Sequence, residues 1–346
     1  MSTTTRSTTT TEVVLPGIVE PGGLQVRTRE LPAPGPGQAQ VAVEATGISF
    51  AEQQMRRAKY YDQPPFPFVP GYDLVGTVTA VGADVDAGLV GQRVAAITKT
   101  GAWATDVLVD AADLVEVPDG VDPGEAATLL VNGLTAYRML YLVAEARPGQ
   151  TVVVLGANGG VGTTLVQLAR RDGIRVIGTA APRHHDALRA LGAEPVDARD
   201  PHWPARVREL APAGVDAVFD HVGGPGIVDS YRLLARGGTL VSYGTASTKD
   251  DPGSSKTPIL LLLARLVAWN TLPTGRGAHF FNIWAGRRSA RRFRAALRTD
   301  LTAVLGLLAR GEITAQVAAR YPLTEIADAM RLAESRTVAG NVVLVP

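Results

Sequence analysis

The sequence predicts an α/β chain, with a β-rich, barrel-like first part followed by a parallel sheet covered by helices on both faces. Three observations carry this. Short runs rich in Val, Thr and Ile at 24–29, 39–47, 73–81, 93–97 and 104–109 are punctuated by LPAPGPG at 31–37 and PDGVDPG at 118–124. From about residue 145 to 270, apolar strand runs alternate with helical periodicity. At 346 residues, 46% of them apolar, the chain has core material for about two domains.

Taken in order, residues 1–11 are Ser/Thr-rich with Arg6 as the only charge, which predicts a disordered leader and excludes a signal peptide. Ser49 to Arg57 reads as a short helix at a strand exit. Pro64, Pro65, Pro67 and Pro70 then force an extended loop leading into Gly71. Helical character follows at Gly124–Leu130 and Thr135–Ala144. TVVVL at 151–155 is a buried strand, followed by a helix through Leu165, Leu168 and Ala169. RVIGTA at 175–180 is the next strand, with a helix over about 184–191. Further strands are read at 214–220 and 239–244.

The glycines between the 151–155 strand and its helix carry the first functional signal. Gly156, Gly159 and Gly162 stand in the spacing GxxGxxG, with Asn158, Gly160 and Val161 filling the loop. A dinucleotide needs a tight turn, close backbone approach to its diphosphate, and free amides at a helix start. Gly156 is expected to make the turn, Gly159 to leave room for phosphates, and Gly162 to let helix and strand touch. The strand at 175–180 then selects the dinucleotide. Its exit, Gly178 to His185, offers no carboxylate for ribose hydroxyls. Thr179 and Arg183 would instead meet a 2′-phosphate, so NADPH is preferred.

Composition excludes several classes. Lys and Arg total 34 against 33 Asp and Glu, a net charge of +1 that gives no global argument for nucleic acid. Cysteine is absent, which removes disulfides, thiol nucleophiles and thiolate-bound zinc. His184 and His185 are adjacent and make a poor metal pair, so no metal site is expected. The most apolar stretch, Pro258–Trp269, is too short to span a bilayer and contains Arg265. No transmembrane segment and a cytoplasmic location are expected.

These motifs, with GISFAEQQMRR at 47–57, FPFVPGYDLVGTVTAVG at 66–82, ATLLVNGLTAYRML at 127–140, GVDAVFDHVGG at 214–224 and the stretch from Leu307 to Pro346, resemble the medium-chain dehydrogenase/reductase superfamily. The similarity is to its zinc-independent quinone oxidoreductase, or zeta-crystallin-like, branch. The resemblance implies a Rossmann nucleotide-binding domain (131–270) inserted into a GroES-like catalytic domain formed from both chain ends (1–130 and 271–346). It also implies a homodimer and an apolar carbonyl or quinone substrate. Zinc-dependent relatives place Cys and His where this chain has Ser49 and Tyr72. NADPH-dependent reduction of a quinone or activated C=C bond without metal is the expected chemistry. An enoyl-thioester or tailoring reductase and a silent NADPH-binding protein are the alternatives.

By family position, Ser49, Gln54 and Tyr60 are the candidate catalytic residues, with Tyr60 alternatively packing against Tyr61. Asn132, Thr135, His221, Val222, Tyr243, Gly244 and Asn341 are candidate cofactor contacts, and Arg56 is expected to tie its loop to a carboxylate. Residues 256–298 combine an apolar run with aromatic residues and arginines. Trp269, Phe280, Phe281 and Trp284 could wall a bulky substrate or serve packing. Arg287, Arg288, Arg291 and Arg292 read as a solvated face, or as a contact for a phosphate-bearing substrate, with Phe293 and Leu297 turned inward.

Overall fold

The computed structural model describes residues 8–248, 256–335 and 337–346. The chain forms two compact units, Met1–Leu134 with Arg288–Pro346, and Thr135–Arg287. The first unit opens with β1 (Thr8–Val14), antiparallel to β2 (Gln25–Leu31). Residues 8–11, expected to be disordered, are therefore strand; residues 1–7 lie outside the described residues. Threonine favours the extended backbone. Thr10 Oγ1 also donates to the Asp106 carbonyl at 2.9 Å, and the buried Glu12 accepts from Arg27 and Arg29 at 2.8 Å each.

The chain continues through β3 (Gln38–Ile48), α1 (Phe50–Arg56), β4 (Asp73–Val81), β5 (Arg93–Ile97), β6 (Asp106–Asp110) and β7 (Val115–Glu116). The two helical stretches read after residue 124 are one helix, α2 (Pro123–Arg138), extended by a π-helical turn at Met139–Val143. By length and composition Pro123–Val143 could cross a membrane, yet most of it is buried in the protein, as in a core helix.

The second unit contains β8 (Thr151–Leu155), α3 (Gly160–Arg171), β9 (Arg175–Ala180), α4 (His185–Leu191), β10 (Glu194–Asp197), α5 (Trp203–Leu210), β11 (Val215–Asp220), α6 (Ile227–Arg232), β12 (Leu234–Ser242), α7 (Lys256–Thr271) and β13 (Gly277–Phe280). Its six strands are parallel, in the order β10-β9-β8-β11-β12-β13. This is the Rossmann arrangement, and the order reverses between β8 and β11, where such sheets bind ligands. Val153, Ile177, Val218 and Leu240 are fully buried, which explains the unbroken apolar runs of these strands. The sixth strand, β13, lies past residue 270, so the sheet extends beyond the point where the sequence ends it. Leu262 and Leu266 of α7 pack on this core, together with Trp269 and Phe280. Trp269 stacks on Tyr231 at 4.2 Å. Two of the four residues expected as a substrate wall are thus packing residues of the sheet's own core.

The chain returns to the first unit through α8 (Ala290–Ala309), β14 (Val317–Pro322), α9 (Ile326–Ser335) and β15 (Asn341–Val345). β15 pairs with β3, giving a seven-stranded sheet ordered β14-β15-β3-β4-β5-β7, with β6 also on β3. On α8, Leu297 is buried, Phe293 is half-buried, and Arg291 and Arg292 are exposed.

Candidate active site

The glycine turn forms at the switch point. Gly156 adopts φ 65°, the left-handed region that other residues rarely enter, and its N–H donates to Thr179 Oγ1 at 3.2 Å. Gly159 is exposed and N-caps α3, with its N–H on the Gly156 carbonyl at 3.0 Å. A methyl group on Gly162 would sit 2.5 Å from Gly156 O and 2.7 Å from Ala157 Cα. The turn at Gly156 and the close backbone approach at Gly162 are those read from the spacing. Asn158, Gly160 and Val161 are half-buried in the same loop. This cradle, with amides at a helix start, fits a diphosphate. Thr179, by contrast, is buried and its hydroxyl holds the turn.

His221 follows β11 and closes the switch point from the other side. Its Nδ1–H donates to the Leu155 carbonyl at 2.9 Å. Its Cε1 lies 2.3 Å from where a Gly156 side chain would begin. Tyr243, at the end of β12, lies 5.9 Å away ring to ring. Burial and the nearby Asp220 raise the Tyr243 phenol above its ordinary range. Asp220 is buried and fixes the following loop, accepting from the N–H groups of Val222 and Gly223 at 2.8 Å each and from Ser230 Oγ at 2.7 Å. Gly244 approaches the His221 backbone so closely that a side chain there would meet its carbonyl at 2.7 Å.

At the end of β9, Arg183 is exposed and its Nε donates to His184 Nε2 at 3.1 Å. His184 is held below its ordinary value by burial and then by Arg183, Arg199 and His185. Arg199 is a residue that the sequence reading missed. Asp197 lies opposite Ala180 across the β10–β9 pair, and that register brings Arg199 to the same sheet edge.

In the first unit, Ser49 N-caps α1 in a capping box with Glu52. Its N–H donates to Glu52 Oε2 at 2.9 Å and its hydroxyl donates to the same oxygen, while Ser49 Oγ accepts from Ala51 N–H at 3.1 Å. The Ser49 hydroxyl is therefore committed to the helix start. Glu52 Oε1 accepts from Tyr72 N–H at 2.8 Å. Burial raises the Glu52 carboxyl above its ordinary range. Burial and then the Glu52 charge push Asp73 up to about 8, although Asp73 accepts from Gly47 N–H at 2.9 Å. Tyr60 is buried, with its hydroxyl 2.7 Å from that of Tyr72 and its ring 4.7 Å from Tyr61. Gln54 is buried on α1. Arg56 meets Glu334 through Nε at 2.9 Å and Nη2 at 2.7 Å, the carboxylate tie expected of it.

Asn132 Nδ2 donates along α2 to Thr128 O at 3.2 Å, and Thr135 is buried on the same helix. Asn341 N–H donates to Gln316 O at 2.7 Å. The pairing of Val342 with Ile48 places Asn341 and Ser49 at the same end of β15 and β3. Among the described residues no group of three His, Cys, Asp or Glu could hold a metal ion. With Ser49 and Tyr72 at the zinc-ligand positions, this donor set does not fit zinc.

Two outcomes follow from this geometry. Gly162→Ala should weaken NADPH binding roughly tenfold or more in a fluorescence titration, because the added carbon can be relieved only by moving the turn. The Asp73 proton is taken up on folding, so its contribution is full below the ordinary aspartate value of 3.8 and is lost as pH rises through about 8. Thermal unfolding should show the native chain losing stability relative to Asp73→Asn across that window.

Two family models match, "Alcohol dehydrogenase GroES-like domain" over residues 35–119 and "Zinc-binding dehydrogenase" over 191–344. The human synaptic vesicle membrane protein VAT-1 homolog is 33% identical over 333 residues, covering 93% of this chain and 82% of that protein. Among solved structures, mycobacterial Rv1454c complexed with NADPH is 32% identical with a TM-score of 0.81, covering 97% of this chain and all of that one (100%). A quinone oxidoreductase of Pseudomonas syringae pv. tomato DC3000 is 27% identical with a TM-score of 0.83, covering 97% and 100%. The chain belongs to the medium-chain dehydrogenase/reductase superfamily, in its zinc-independent branch of VAT-1 and zeta-crystallin-like proteins.

Proposed function

We propose that the chain is an NADPH-dependent reductase of quinones or of the C=C bond of α,β-unsaturated carbonyl compounds, acting without a metal. The observation that carries this is the glycine cradle at the switch point with Arg183 and Arg199 at the adjoining sheet edge. The NADPH complex of the 32%-identical mycobacterial relative supports the choice of dinucleotide. When bound, the reduced nicotinamide supplies a hydride to the electron-poor carbon of the acceptor.

The chain's own residues divide the remaining work. Amides at the start of α3 neutralise the diphosphate, and Arg183 and Arg199 pair with the 2′-phosphate through planar guanidinium groups. Tyr60 and Gln54 are the donors for the acceptor's oxygen, since the Ser49 hydroxyl is committed to Glu52. Reduction of a conjugated carbonyl asks mainly for orientation and a hydrogen bond at that oxygen.

The test is NADPH oxidation against quinones, enones, enals and enoyl thioesters, with product identification. Turnover is expected with quinones or enones. Arg183→Gln with Arg199→Gln should raise KM for NADPH about tenfold or more and leave KM for NADH nearly unchanged. Tight NADPH binding without turnover on any acceptor would overturn the reductase reading in favour of a silent binding protein.

The same reading includes a homodimer. Leu260, Leu261 and Val267 on the outer face of α7 are 65%, 67% and 64% exposed, an apolar stripe that favours burial. The strand edge is less available for pairing: the Asn270 side chain accepts from Ala278 N–H at 2.8 Å and donates to Ala278 O at 2.7 Å. Self-association is accordingly assigned to α7 rather than to sheet extension. Sedimentation should give a dimer for the native chain and a monomer for Leu261→Glu with Val267→Glu; a native monomer would refute the assignment.

A further inference from the structure

Tyr72 stands where zinc-dependent relatives carry a histidine, and the structure gives its phenol a defined place. Its main chain is held on both sides. The N–H donates to Glu52 Oε1 at 2.8 Å, and the carbonyl accepts from Thr98 and Lys99 N–H at 2.9 and 3.2 Å. The ring meets Tyr60 edge-on, with centroids 6.4 Å apart and planes at 86°. The two hydroxyls are 2.7 Å apart. Tyr72 is 3% exposed and Tyr60 8%, so Tyr72 is the deeper member of the pair. Tyr60 is also hydrogen-bonded to Tyr61, which is half-buried, so three phenols stand in series from the interior outward.

A phenol has one proton to donate, and a hydroxyl that accepts from a neighbour keeps its own proton for a third group. Burial, and then the neighbouring phenols, hold Tyr60 far above its ordinary range, and burial raises Tyr61 as well, so both keep their protons at neutral pH. The cluster is built to donate hydrogen bonds and not to shed a proton.

We infer that Tyr72 is a positioning residue: its hydroxyl donates to Tyr60 and thereby keeps the single Tyr60 proton for the carbonyl oxygen of the acceptor. The charge that reduction places on that oxygen is then met by a donor fixed in advance, and solvent supplies the proton that completes the product. Glu52 anchors the arrangement through the Tyr72 backbone. In the zinc-dependent pattern this position contributes a metal ligand; here it contributes the inner end of a hydrogen-bond series. The inference rests on the reductase reading above.

The experiment compares Tyr60→Phe, Tyr72→Phe and the double variant, which keep the rings and remove only hydroxyls. Tyr72→Phe should lower kcat with a quinone or enone roughly ten- to a hundredfold. NADPH affinity, measured by direct binding, and the unfolding midpoint should stay close to native values. The double variant should be no slower than Tyr60→Phe alone, because one hydroxyl acts through the other. A Tyr72→Phe variant within twofold of the native rate, or losses that multiply in the double variant, would overturn the positioning role. Absence of turnover in the unaltered chain would instead overturn the reductase reading, and the two failures are separable on that ground.

Discussion

The dinucleotide edge of the sheet depends on the backbone of Gly156. This residue turns the chain from β8 into the loop before α3 with a positive φ, and its N–H is held by Thr179 from β9. On the other side His221, from the end of β11, is bonded to the Leu155 carbonyl and occupies the space that any Gly156 side chain would need. Three neighbouring strands thus clamp one peptide. A substitution at Gly156 would meet backbone strain and a ring at once, so the imidazole is tolerated only because the glycine is there. Each hydrogen bond contributes about 1 kcal/mol; the constraint lies in their converging on one turn. The same convergence gives the buried Thr179 hydroxyl its place, as acceptor of the Gly156 N–H.

In the first unit the organising group is Glu52. Its buried carboxyl collects the Ser49 N–H, the Ser49 hydroxyl and the Tyr72 N–H, joining the start of α1 to the turn that begins β4. A buried carboxylate is costly unless its oxygens are met by donors, and three donors meet this one. Asp73 is buried close enough for the Glu52 charge to oppose its ionisation, so the second acid of the pair holds its proton more tightly. In this way a carboxylate and its donors organise the region where relatives use a metal ion. The Ser49 hydroxyl is accordingly held in the same turn, on the Glu52 carboxyl.

How much of this was legible in the sequence depends on how local each signal is. The parallel strands and the glycine turn could be read because apolar runs and the GxxGxxG spacing are local patterns, and Gly156 and Gly162 take the turn and the close packing that the spacing implies. Residues 8–11 were misread because Ser/Thr-rich composition resembles a disordered leader, while their pairing partners, Thr28 to Leu31, lie further along the chain. Arg199 was missed because its effect on His184 exists only once β10 lies beside β9. The fate of Ser49 had a local signal, since Ser49-x-x-Glu52 is a capping-box pattern. The pairing of Tyr60 with Tyr72 had none, because the proline-rich loop between them hides their approach. The interior places of Trp269 and Phe280 depend on β13 joining the sheet, which four residues of sequence do not announce.

The arginine-rich segment shows the same principle applied to charge. Read along the chain, residues 256–299 contain no acid, and that bias invites an anionic partner. In the fold the cations are distributed among local tasks. Arg276 lies 5.8 Å over the Tyr231 ring and Arg287 lies 5.3 Å over Trp284. Arg294 bridges Asp110 and Asp113, acids supplied by a distant part of the chain, and Arg298 donates to the Ala112 carbonyl at 3.1 Å. What the sequence concentrates, the structure therefore spends in part in separate places, with Arg265, Arg288, Arg291 and Arg292 at exposed positions. Arg183 and Arg199 differ in kind: they follow strand ends that are paired at Ala180 and Asp197, and both disfavour charging of His184. Two cations acting on one imidazole oppose its charging, and an anion placed beside them would relieve that opposition. That local electrostatic balance, and not the number of arginines in a segment, is what an anion-binding reading of this edge rests on.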